Sequence, residues 1–92
     1  MTNYAALGEY TAYSEQARDA AGRRFAYAKN LSTQLRLLAD RPEGGVNQQE
    51  LQRAVDDIAA ADREMNAALE RANQSAPLCN KPLLTHRSLS KF

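Results

Sequence analysis

The chain has 92 residues, 43% hydrophobic and 25% charged, with a formal net charge of +1. That apolar fraction is too high for a disordered segment. The length supports one small domain with a thin core, because a chain of this size buries only about 60 to 65% of the surface its unfolded form exposes. Cys79 is the only cysteine, which excludes an intramolecular disulfide framework.

Charge is unevenly spread. Residues 1 to 76 carry nine Lys or Arg against eleven Asp or Glu, whereas Lys81, Arg87 and Lys91 follow with no acid. A phosphate backbone is normally met by a concentrated positive face, and the mildly acidic body offers no uninterrupted run of that kind. The first residues show neither a basic segment nor an apolar core of leader type, and no stretch approaches the roughly 18 apolar residues of a membrane span. A cytoplasmic protein without a membrane segment is therefore expected.

The first periodic segment begins after Thr2 and Asn3, either of which suits a helix cap. One apolar series spaced by seven runs Leu7, Ser14, Ala21, Ala28 and Leu35; a second, offset by three, runs Tyr10, Ala17, Arg24, Leu31 and Leu38. This spacing lays a seam along one side of a helix from about residue 3 to residue 39, a rod of about 55 Å at roughly 1.5 Å per residue. Arg24 interrupts the seam, with an aliphatic stem that can lie along it and a head group at its edge. Phe25 and Tyr27 widen the apolar stripe. Arg23 follows Asp19 by four residues, the spacing of an intrahelical ion pair. Gly8 and Gly22 share a face, a pattern that allows a neighbouring helix to approach closely.

Arg41-Pro42-Glu43-Gly44-Gly45 ends this helix. Pro42 lacks a backbone donor and disfavours the helical conformation at Arg41, and the two glycines accept left-handed conformations at little cost. Val46-Asn47-Gln48-Gln49-Glu50-Leu51 then reads as a new start. Asn47 is placed to cap, Glu50 to complete a capping box, and Val46 to pack on Leu51 as a hydrophobic staple. The second ladder runs Leu51, Ile58, Met65 and Ala72, with Val55, Asp62, Leu69 and Ala76 beside it. It predicts a helix over residues 48 to 75.

Together these segments predict an all-α fold: a long antiparallel helical hairpin over residues 1 to 76, followed by a Pro-containing tail over 77 to 92. Alanine-rich seams bury little area at about 25 cal/mol per Å². Pairing of two hairpins into a dimeric four-helix bundle is the natural remedy. The longer first helix overhangs the second at its amino-terminal end, where Tyr4, Leu7, Tyr10 and Tyr13 concentrate. The tail carries Leu78, Leu83, Leu84, Leu89 and Phe92, either to cover those rings or to dock elsewhere.

Chemistry-bearing patterns are sparse. Cys79 and His86, the only residues of their kinds, do not make a metal site or a nucleophile pair. The acidic residues Asp56, Asp57, Asp62 and Glu64 read as a solvated face with Arg53 and Arg63 nearby, and Gly44-Gly45 lacks the Lys and Ser or Thr of a phosphate loop. No catalytic residue, metal or cofactor is assigned, and a non-enzymatic protein is expected. The reading is a small self-associating helical protein that binds another, unidentified protein. Its candidate interface comprises Tyr4, Leu7, Tyr10, Tyr13, Arg24, Phe25 and Tyr27, with Leu83, Leu84, Leu89 and Phe92 of the tail. An alternative is a nucleic-acid accessory protein whose phosphate contacts would be Arg23, Arg24, Lys81, Arg87 and Lys91. A third is a structural subunit of a larger assembly.

Overall fold

The computed structural model describes residues 3 to 90. Helix α1 spans Tyr4–Asp40 and α2 spans Gln48–Ser75. A 3₁₀ turn at Ala76–Cys79 and a single-turn helix α3 at His86–Leu89 complete an all-α chain. The termini of α1 follow from local chemistry. The Asn3 side chain accepts a hydrogen bond from the amide of Ala6 at 3.1 Å, and Pro42 closes the other end just beyond Arg41. Asn47 caps α2 in the same way, accepting from the amide of Glu50 at 3.1 Å.

Three local expectations are corrected. No glycine among the described residues has a positive φ, so the reversal at Gly44-Gly45 is built without a left-handed residue; the Gly44 amide donates instead to the carbonyl of Arg41. Among the described residues the one left-handed residue is Asn80, at φ 56°, which ends the 3₁₀ turn. Val46 stands 68% exposed, and the staple onto Leu51 is left open. The reciprocal capping box of this fold lies instead in the tail, between Thr85 and Ser88.

The molecule measures 66 × 21 × 13 Å. Its two packed helices, α1 and α2, make a single layer. A domain normally closes its core between two layers. Here the second layer is the tail, and it covers only half the length. The core cluster joins Ala17, Ala20 and Ala21 of α1 to Met65, Ala68, Leu69 and Ala72 of α2, and adds Leu84 and Leu89 from the tail, with Tyr10 and Tyr13 packed against it. Leu89, 1% exposed, is the largest fully buried side chain.

The two ladders of α1 therefore differ in fate. Ser14 and Ala21 are buried where the tail lies over them, whereas Ala28 and Leu35, the next members of the same series, are exposed. Leu31 and Leu38 of the other series stay half-buried against α2 along the open half. A lone pair of helices covers one stripe of each partner; covering a second stripe takes a third element.

Gly8 is exposed, and a Cβ built on it would meet nothing within 4 Å. No neighbouring helix approaches there, contrary to the close-packing role its position suggested. Gly8→Ala is expected to stabilise the fold by about 0.5 to 1 kcal/mol, read as a higher denaturation midpoint. Leu89→Ala removes the largest buried side chain and is expected to cost about 2 to 4 kcal/mol, with the loss of protection centred on the tail in amide exchange.

Candidate interaction surface

The tail is held at three places along one groove between the helices. The Tyr10 hydroxyl donates to the carbonyl of Pro82 at 3.2 Å. Asn73 then makes a two-point clasp: its side-chain amide donates to the Leu84 carbonyl at 2.9 Å, and its Oδ1 accepts from the Leu84 amide at 2.7 Å. Further along, the His86 ring hydrogen-bonds to Oδ1 of Asn66. These anchors run from the amino-terminal end of α1 toward the middle of the hairpin. Between them Leu84 and Leu89 fill the groove.

This docking accounts for four of the sequence-predicted interface residues. Tyr10 and Tyr13 are half-buried, and Leu84 and Leu89 are buried beside them, all within the chain's own core. Tyr13 also lies under the Arg71 guanidinium, 5.4 Å from its centroid, a cation–π contact of about 0.5 to 1 kcal/mol. Leu7 is half-buried. Tyr4, at 79% exposure, and Leu78 and Leu83 remain uncovered at the tail end. Phe92 and Lys91 lie outside the described residues.

Polar groups near the seam are matched within the chain. The buried Ser14 hydroxyl donates to the Tyr10 carbonyl at 2.6 Å, and the buried Ser75 hydroxyl donates to Glu9 at 3.1 Å. The Cys79 thiol is buried against the carbonyl of Ser75. Arg24 places its Nε 2.9 Å from Oδ1 of Asp62, and Arg23 its Nη2 2.9 Å from Oε1 of Glu64. The partner of Arg23 is thus Glu64 on the opposite helix, rather than Asp19 on its own. The guanidinium's hydrogen bond holds the Glu64 carboxyl below its ordinary range against a smaller opposing effect of desolvation, and the same bond raises Arg23 further. The two interruptions of the ladders, Arg24 and Asp62, are each other's partners. Opposite charges at nearly equal distances from the turn were the available signal for this pair.

The candidate phosphate contacts are accordingly divided. Arg23 and Arg24 face carboxylates, and Lys81 and Arg87 sit exposed on the tail. Among the described residues, no group of three or more His, Cys, Asp or Glu is placed to hold a metal ion, and no helix is long and apolar enough to cross a membrane. Three surface clefts among the described residues, of about 210 to 290 Å³, fall below the roughly 300 to 1,000 Å³ of small-molecule sites.

The open half is where the structure leaves apolar area in water. Phe25, Tyr27, Leu35 and Leu37 on α1, with Val46 and Val55 beyond the turn, are all exposed. Leu35, Leu37, Val46 and Val55 were not among the interface residues read from sequence: Leu35 and Val55 were read as seam members covered within the hairpin, and Val46 as a staple onto Leu51. Comparison with protein-family models, curated proteins and solved structures found no match to this chain.

The Arg23–Glu64 pair has a defined pH signature. A carboxyl that titrates lower in the fold than in the unfolded chain contributes its full share of stability above the ordinary carboxylate range and loses it as pH falls through the folded value. Arg23→Gln is expected to move the Glu64 titration upward when followed by NMR; an unmoved titration would show that the pair does not form in solution. Asn73→Ala is expected to cost about 1 to 3 kcal/mol, with amide exchange accelerated over residues 82 to 89.

Proposed function

We propose that this chain is a non-enzymatic interaction module that self-associates and binds another protein through apolar surface its own fold leaves open. The observation that carries this reading is the uneven burial along the hairpin. One half is closed by the tail, while in the other Leu35 and Val55 stand exposed, and no further element lies over them among the described residues. Large exposed apolar patches on small proteins mark protein–protein contacts. A second uncovered group, Tyr4, Leu78 and Leu83, lies at the far end, so the hairpin offers separate places for a second copy and for a different protein.

The nucleic-acid alternative draws less support. Two of its arginines pair across the hairpin with Asp62 and Glu64. The cations of the tail are too few for a positive groove with aromatic stacking platforms.

The test is affinity capture from nuclease-treated host lysate, with complexes sized by light scattering. The wild-type chain is expected to recover one protein at a fixed ratio and to keep it when salt is raised. A variant carrying Tyr4→Ser and Leu83→Ser, or one carrying Leu35→Ser and Val55→Ser, is expected to lose its complex while circular dichroism stays unchanged. Steep loss of binding with salt would instead favour the phosphate-contact reading. A chain that is monomeric and captures nothing would overturn the module itself.

A further inference from the structure

The groove that holds the tail does not end where the tail ends. Residues seven apart on a helix lie close to the same line. On α1 that line passes from the buried Ser14 and Ala21 to the exposed Ala28 and Leu35; on α2 it passes from the buried Leu69, through Asp62, to the exposed Val55. The tail anchors Asn73 and Asn66 continue in the same way to the half-buried Ala59. One apolar face therefore runs the length of the hairpin, under the tail in one half and open in the other, with the Arg24–Asp62 pair at the boundary.

From this we infer that the open half of the face is covered by the same half of a second copy, the two hairpins lying antiparallel in a lap joint that forms a four-helix bundle only between the turn and Arg24. The inference rests on the self-association part of the reading above and supplies its geometry. Area argues for a second copy. A compact monomer of 10.2 kDa exposes about 5,300 Å², whereas this chain exposes 6813 Å². Half of a 66 × 21 Å face is on the order of 700 Å², close to the roughly 800 Å² that each partner contributes to a standard interface. Charge argues in the same direction. Residues 25 to 58 mix Lys29, Arg36, Arg41 and Arg53 with Asp40, Glu43, Glu50, Asp56 and Asp57, which suits a surface meeting its own kind better than one meeting a strongly charged partner.

The tail decides the direction. A hairpin laid over this face with its turn at the same end would have to occupy the layer that Leu84 and Leu89 already fill. A hairpin reversed end for end overlaps only the open half, and its turn then meets the end of the first copy's tail. A two-fold axis makes both contacts identical, so each face is completed by its own tail and by the other copy's hairpin.

The experiment is sedimentation equilibrium on the full chain, together with distances between spin labels at Glu43→Cys in a Cys79→Ser background. The expected result is a dimer in which the two turns are separated by roughly half the long axis, about 30 Å, as an isologous antiparallel overlap requires. Leu35→Asp and Val55→Asp, both at solvent-exposed positions, are expected to weaken dimerisation roughly 100-fold or more with unchanged circular dichroism, while Tyr4→Ser leaves it intact. A dimer with its turns closer than about 20 Å would overturn the antiparallel arrangement. A dimer insensitive to both Asp variants would overturn the choice of face. A monomer that binds a different protein through Leu35 and Val55 would overturn the second copy while leaving the interaction module standing.

Discussion

A single layer of two helices has no interior, and that constraint shapes everything else in this protein. Each helix of such a pair shows its partner only a narrow stripe, and alanines along that stripe bring little area out of water. The chain answers by turning its last segment back over the seam. Leu84 and Leu89 add the branched volume that Ala17, Ala20, Ala21 and Ala72 lack. The small residues are what allow it: a leucine in place of Ala21 would fill the groove that the tail requires. Asn73 holds the segment as a neighbouring strand would, one donor and one acceptor meeting the two backbone groups of Leu84. The fold is better described as two and a half helices in one and a half layers than as a hairpin with an appendage.

Charge plays a different part. Arg23–Glu64 and Arg24–Asp62 lie at nearly the same level near the middle of the hairpin, and both are substantially exposed. Exposed pairs contribute little to stability, commonly less than about 1 kcal/mol. Their value here lies in alignment. Alanine seams are nearly uniform along their length and tolerate a slip of one heptad; two adjacent cross-helix pairs do not. An arginine and an aspartate at the points where the ladders break are matched in the observed stagger of α1 against α2, the one that sets Asn73, Asn66 and Tyr10 on one groove for the tail.

Much of this architecture was legible in the residues. The helices expected over about 3 to 39 and 48 to 75 are observed as Tyr4–Asp40 and Gln48–Ser75, because Asn3, Pro42 and Asn47 mark their ends by local chemistry that tertiary structure did not override. What periodicity did not reveal is which of two equivalent ladders keeps its cover beyond Ala21. Ala28 and Leu35 have the same character as Ser14 and Ala21, and only the reach of the tail distinguishes them. The reach is set by long-range contacts, Tyr10 with Pro82 and Asn66 with His86, that leave no local signature. Leu35 and Val55 of the open half were hidden for the same reason: by spacing they belong to a core, and by position they lie past the end of the element that would close it.

The placement of the core also inverts the usual mechanics of a helical hairpin. Such hairpins are ordinarily firmest beside the turn and fray at the free ends. Here the buried cluster ties residues near both ends of the chain, with Glu9 bonded to Ser75 and Tyr10 to Pro82, and the turn is the exposed extremity. Closing a loop of that length directly carries an entropy cost about 2 kcal/mol larger than closing the short loop at the turn. Covalent continuity through Arg41 to Gly45 consequently contributes less to the lone fold than its central position suggests. A chain cut within those residues keeps both halves of its core on the same two fragments, joined where their packing is densest.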